Sequence, residues 1–339
     1  MKDRDIILEV LQAGTDRRIE RRRFLHFAGA STAAFSLAAC GGDDNNNNPI
    51  GGTPPGPTPT PTPTPPPPSA LTDADVLNFA LNLEYLEAQF YSYAAIGSGL
   101  ASNLLDGTGI RGQVTGGRQV NFTDPLVAQY AREIASDERA HVAFLRSALG
   151  GAAVAQPAID IGSSPNGAFS SAARAAGLVG PNQSFDPYAN DNNFLLAAYI
   201  FEDVGVTAYK GASPLISNKT FLEAAAGILA AEAYHAGLVR TVLYRKGLQA
   251  PALIDASEAI SNARDSLDGS TDLDQGLRPR STQFGEGTNI VPTDNNAIVF
   301  SRTTGQVLNI AYLTAMSTTG GGFFPNGVNG NLRMSAASS

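Results

Sequence analysis

A single cysteine, Cys40, occurs in 339 residues, and tryptophan does not occur at all. A lone cysteine excludes a disulfide framework and a thiolate zinc site. Histidine is scarce as well: His26, His141 and His235 are the three, so imidazole chemistry has few places to happen. Charged residues make up only 16% of the chain and the net charge is −8. Basic residues do not cluster beyond the first two dozen positions, which excludes a nucleic-acid partner, because neutralising phosphates needs a concentrated basic face. No run of 18 apolar residues occurs, the length a helix needs to span a bilayer. What the chain does contain is 43% hydrophobic residues, enough for a sizeable core, together with 35 glycines and 21 prolines.

The first 40 residues read as an export address. Glu20-Arg21-Arg22-Arg23-Phe24-Leu25-His26 precedes a mildly apolar stretch from Phe27 to Ala39, which ends at Cys40. A charged start, a short apolar run and a small-residue exit form a secretory signal. The paired arginines resemble the twin-arginine export signal, and Leu37-Ala38-Ala39-Cys40 resembles the lipobox of bacterial lipoproteins, in which the cysteine is lipidated. An ordinary signal with an incidental cysteine is the alternative. Localisation is therefore expected outside the cytoplasm, in the periplasm or at the cell surface, with a lipid on Cys40 as the membrane contact. Residues 41–69 read as a tether: eleven of the 21 prolines lie between Pro49 and Pro68, after an Asn-rich run. Such a composition favours extended polyproline II and buries nothing.

From Thr72 the apolar residues adopt helical spacing. Thr72 or Asp73 can cap a first helix running toward Gly97, and a Gly-rich loop follows to Gly117. Asp124-Pro125, an N-cap with proline in the first turn, opens a second helix ending at Gly150. Residues 150–190, punctuated by four prolines, read as a long connection with at most one short helix. A third helix spans about Asn192 to Gly211 and a fourth about Asn218 to Gly247, where Gly247 and Pro251 stop it. The domain boundaries follow: 70–250 a four-helix body, 251–339 a mostly irregular extension packed on it.

The helices form a repeat. Glu84 and Glu202 each have a tyrosine seven residues later, Tyr91 and Tyr209; Glu138-x-x-His141 stands over Glu232-x-x-His235. Arg146 and Arg240 each lie eight residues past the glutamate and read as salt-bridge partners at the bundle end. Residues i and i+3 share one helix face, so each Glu-x-x-His aims a carboxylate and an imidazole at one point. Duplication puts both sets on a pseudo-twofold axis. Four carboxylates and two imidazoles carry −4, a charge that matches two divalent cations and is costly to bury without them. Oxygen and nitrogen donors without thiolate suit iron, manganese or zinc. Glu84, Glu138, His141, Glu202, Glu232 and His235 are the expected metal ligands, with Glu84 and Glu202 supplying bridging or capping oxygens. Glu87 aligns with Gly205 in the repeat and reads either as an extra ligand or as solvent-facing. Tyr91 and Tyr209 can bond to the site, relay an electron, or serve as core aromatics. Asp137 and Asp203 can orient the histidines of the opposite helices.

With these residues in hand, the chain resembles the ferritin-like superfamily over roughly residues 72–247. Within it, the chain is similar to the desiccation-related ferritin-like proteins, through Leu77 to Ala88 and the tail segments Ile290 to Asp294, Phe300 to Thr303, Gln306 to Ile310 and Gly322 to Gly327. The resemblance implies an all-α bundle with a long crossover between helices 2 and 3. It further implies a dinuclear iron or manganese centre reacting with oxygen or peroxide, in envelope stress protection, as a manganese-catalase-like peroxide dismutase, or as a non-catalytic, metal-stabilised desiccation protein.

Overall fold

The computed structural model describes residues 71–338; the expected signal, Cys40 and the 41–69 tether lie outside the described residues. Four long helices make the bundle: α1 (Asp73–Ile96), α2 (Pro125–Leu149), α4 (Asp191–Ala212) and α5 (Lys219–Gly247). A short α3 (Ala168–Ala175) lies in the crossover between α2 and α4. Two further helices, α6 (Ala252–Asp268) and α7 (Thr304–Tyr312), belong to the C-terminal extension. The fold is all-α and ferritin-like: α1 pairs along α2, α4 along α5, and the two pairs meet face to face, α1 on α4 and α2 on α5.

Local chemistry sets the helix ends. Thr72 accepts from the Asp75 backbone amide while Asp75 receives the Thr72 amide at 2.9 Å, a reciprocal cap that satisfies two donors a helix start leaves orphaned. Gly97 ends α1 at φ +76°, a left-handed conformation that costs glycine nothing. Asp124, Asn190 and Asn218 cap α2, α4 and α5 through their side-chain oxygens.

The bundle helices are buried unequally, and this places the site. On α2 the buried residues Val127, Ala131, Ile134, Glu138, Val142 and Leu145 form one stripe at steps of three and four. On α1 and α4 nearly every face is buried, because the crossover and the extension cover their outer sides. Phe90 stands at the centre of an aromatic cluster with Phe169 of the crossover and Phe194 and Phe201 of α4. Phe323 of the tail enters the same cluster, 4.9 Å from Phe201 and 5.1 Å from Phe169 between ring centroids.

Two features are not visible in the sequence pattern. The loop after α1 and the crossover are joined by a parallel pair, β1 (Val114–Gly116) with β2 (Ile159–Ile161). The extension is mostly irregular, as expected, but it contains a 17-residue helix, α6. Its buried side includes Ser257, Ser261, Arg264 and Asp268, so a search for an apolar stripe passes over it. Those polar residues belong to a buried ion chain. Arg264 bonds Asp203 at 3.1 Å and Asp274 at 2.5 Å, and Arg302 bonds Asp268 at 2.5 Å and Asp274 at 3.0 Å. Charges removed from water need such partners, since a lone buried charge is far costlier than a paired one. The chain ties the tail to α4.

Candidate metal centre

Each bundle helix sends chemistry-bearing side chains to one buried point midway along the bundle. Glu84 and Glu87 come from α1, Glu138 and His141 from α2, Glu202 from α4, and Glu232 and His235 from α5. The five carboxylates are buried, as is His235; His141 is half-buried. Both imidazoles turn Nδ1 inward. His141 Nδ1 lies 3.2 Å from Glu84, 3.5 Å from Glu138 and 3.8 Å from Glu232. His235 Nδ1 lies 3.1 Å from Glu138 and 3.7 Å from Glu202. The rings are 6.3 Å apart. Glu138 therefore stands between them, one oxygen toward each. Glu232 also serves both halves: Glu84, Glu138, His141 and Glu232 can converge on one ion, and Glu202, Glu232 and His235 on another.

The donor set fits cations better than it fits hydrogen bonding. Both oxygens of Glu138, both of Glu232, one of Glu202 and His235 Nδ1 are buried and make no hydrogen bond within the protein. Buried polar atoms are almost always paired, and an unpaired carboxylate oxygen is the costliest exception. Here six orphaned donor atoms face one another at the separations co-ligands of a metal keep. Electrostatics agree. Burial raises the Glu84 carboxyl to about 7 and that of Glu202 to about 8. Burial and then the neighbouring carboxylates, Glu138 first, push Glu87 and Glu232 well above the usual range. Burial opposes ionisation of Glu138 too, but the two imidazoles outweigh it and hold that carboxyl at about 2. Burial favours neutral imidazoles, yet the surrounding carboxylates raise His141 to about 11 and His235 to about 9. Without a cation the cluster keeps protons on carboxyls that would otherwise ionise, because two imidazolium charges are too few for five carboxylates.

The structure brings all six expected ligands together and sorts their roles. Glu138 and Glu232 occupy the middle, whereas Glu84 and Glu202 sit at the two ends, the capping rather than the bridging of the two places expected for that pair. Glu87 is buried in the cluster and does not face solvent. Its repeat counterpart, Gly205, lacks a side chain because a Cβ there would stand 2.3 Å from a Glu232 oxygen and 3.5 Å from Glu87. The site is thus symmetric in six residues and asymmetric in the seventh. Tyr91 donates to Glu202 and Tyr209 to Glu84, each across to the helix of the other half. Asp137 meets His235 Nε2 at 3.3 Å, fixing which ring nitrogen turns inward.

Other expectations fail. Asp203 does not orient a histidine; it accepts from Arg240 at 2.7 Å and from Arg264. Arg240 is no bundle-end partner: it is fully buried and also donates to the carbonyls of Gln275, Gly276, Asn289 and Ile290 in the extension. Arg146 forms no salt bridge among the described residues and donates to the Tyr85 hydroxyl at 2.6 Å. The carbonyl partners of Arg240 come from the tail, and no local spacing signals them.

A four-helix bundle closing on paired Glu-x-x-His motifs is the ferritin-like architecture, and the chain belongs to that family: the ferritin-like domain profile matches residues 72–245. Among curated proteins the chain is 32% identical over 270 residues to the desiccation-related protein PCC13-62 of Craterostigma plantagineum, covering 76% of this chain and 83% of that one. It is 30% identical over 271 residues to the ferritin-like catalase Nec2 of Nesocodon mauritianus, covering 77% and 84%. No solved structure matches the chain significantly.

Proposed function

We propose that the protein is a ferritin-like catalase: an exported protein that holds two iron or manganese ions between Glu84, Glu138, His141, Glu202, Glu232 and His235 and acts on peroxide. The observation that carries this reading is the set of six orphaned donor atoms in a buried, carboxylate-rich core. The likeness to a relative named a ferritin-like catalase supports peroxide over oxygen as the reactant. When bound, such a metal pair supplies a two-electron couple, the capacity that turning two peroxides into oxygen and water requires.

The chain's own residues have separate tasks. Tyr91 and Tyr209 hold the end glutamates in place, and Asp137 holds His235. Burial excludes bulk water, which strengthens every charge interaction inside. Glu87, its carboxyl held high by burial and by Glu138, is placed to carry a proton beside the ligands. The leader reading supports export, with Cys40 as lipid anchor and the Pro-rich segment as spacer.

Metal analysis of protein purified from its own host, with oxygen evolution from added hydrogen peroxide, tests the reading. Two ions per chain and oxygen release are expected. A metal-loaded chain that releases no oxygen favours a second reading, in which the metals only stabilise the bundle; the desiccation-related relative and the tail's buried ion chain support that alternative. A chain that binds no metal sinks both.

A further inference from the structure

Apart from the metal cluster, the described residues enclose several small cavities, and they differ in what they touch. One of about 30 Å³ has the cluster at its inner end: Glu87 and Gly205 line it, alongside Val204 of α4. Its outer wall is the extension, through Val307 and Ala311 of α7 and through Phe323. A larger cavity of about 50 Å³ flanks α4 and α5 near Asp203 and Arg240 and has none of the seven cluster residues in its wall. A third, about 30 Å³, is walled by apolar side chains and Arg264, and also does not reach the cluster.

Resting on the metal reading above, we propose that the cavity beneath α7 is the port through which a small neutral oxidant, hydrogen peroxide or dioxygen, reaches the metal centre. Its inner end is the Glu87 carboxyl, beside Gly205. The missing side chain there leaves nothing between the helix backbone and the carboxylates: a Cβ would lie 2.3 Å from Glu232 and 3.5 Å from Glu87. Size and polarity define the ligand class. The volume takes about two water-sized molecules, which suits a diatomic core and excludes an organic substrate. Walls of valine, alanine and phenylalanine offer an anion no counter-charge, and the carboxylates at the mouth repel one. A neutral molecule faces neither barrier, and peroxide can donate a hydrogen bond to Glu87. Tyrosines hold Glu84 and Glu202, but neither of those two tyrosines holds Glu87, which leaves its carboxyl group for an incoming molecule. The extension then has a role a minimal bundle lacks: it forms the wall of the route.

The test uses nitric oxide, a neutral diatomic, mixed in stopped flow with the full chain loaded anaerobically with ferrous iron; absorbance reports binding without turnover. Iron content is measured first. Val307→Phe, which fills the cavity, is expected to slow nitric oxide association about tenfold, since a filled interior leaves no path, with iron content and final spectrum unchanged. Val307→Ala, which enlarges the cavity without crowding the fold, is expected to speed association. Val299→Phe, which fills the larger cavity, is expected to leave it unchanged. Wild-type rates in both Val307 variants, or equal slowing in Val299→Phe, overturn the port and spare the metal reading. A wild-type chain that takes up neither ferrous iron nor manganese overturns both.

Discussion

Tyr91 on α1 donates its hydroxyl to Glu202 on α4, and the mirror bond runs from Tyr209 on α4 to Glu84 on α1. The two tyrosines cross the bundle in opposite directions, so each half of the repeat holds the end ligand of the other. Both phenols are pushed well above their ordinary pKa, by burial and then by the carboxylate each one bonds, which keeps them protonated as donors. Loss of a bond that orients a metal ligand costs about 10- to 100-fold in metal affinity. Tyr91→Phe and Tyr209→Phe are each expected to lose that much, and by similar factors, as read by chelator competition. A large loss in one variant and none in the other would show that the crossed bonds are not equivalent.

Position within the cluster ranks the glutamates. Glu138 faces both imidazoles, whereas Glu84 faces only His141. Glu138→Gln keeps the volume and is expected to abolish binding of both ions; Glu84→Gln is expected to weaken one ion and leave the other. Glu87→Gln is expected to retain both. Metal per chain in the three variants decides the order, and loss in Glu87→Gln but not in Glu84→Gln would exchange their roles.

Protonation opposes metal. His141 at about 11 and His235 at about 9 both lie above the ordinary 6.5, so the stripped chain is stabilised by these charges below pH 6.5 and loses that contribution as pH rises through 9 and 11. Glu84 at about 7 and Glu202 at about 8, raised from 4.5, act in the same direction: the folded chain holds their protons more tightly, so stability falls as pH climbs from 4.5 through 8. The depressed Glu138 contributes oppositely, but only between about 2 and 4.5. Thermal melts of stripped protein are expected to show a lower midpoint at pH 9 than at pH 6. Metal is expected to restore most at pH 9, because the ligands must shed protons to bind. Calorimetry in buffers of differing ionisation heat measures the protons released, and no release would contradict the charged imidazoles.

The tail is part of the core. Phe323 is 1% exposed and packs on Phe169 and Phe201. Phe323→Ala is expected to cost about 3–5 kcal/mol, the range for deleting a buried aromatic, read as a lower urea midpoint at unchanged slope. A cost below about 1 kcal/mol would mean that the bundle stands without the tail.

Export makes its own prediction. Cys40→Ser is expected to move the protein from the membrane to the soluble fraction with its helix content unchanged, and continued membrane retention would argue against the lipid anchor. Arg21→Lys with Arg22→Lys is expected to leave precursor in the cytoplasm.

The four bundle helices, the caps of the first two and the six converging side chains are legible in the sequence, because helical period, N-cap chemistry and the i, i+3 rule are local and the repeat writes the Glu and Glu-x-x-His pattern twice. The shared seven-residue offset to a tyrosine is enough to pair Glu84 with Glu202. Their place at the ends, with Glu138 in the middle, is not legible, since it depends on how four helices rotate about a shared axis. The burial of Glu87 stays open for the same reason: its own helix face lies near that of Glu84, but what covers it comes from α4, α7 and Phe323, up to 236 residues away. Arg240 reads as an end-of-bundle cation because its eight-residue offset matches Arg146; only the tail's carbonyls and Asp203 make it a buried tie. Short-range spacing determined which side chains this chain has to offer a metal. Packing of distant segments decided which of them meet, which are sealed from water, and where a path to them remains.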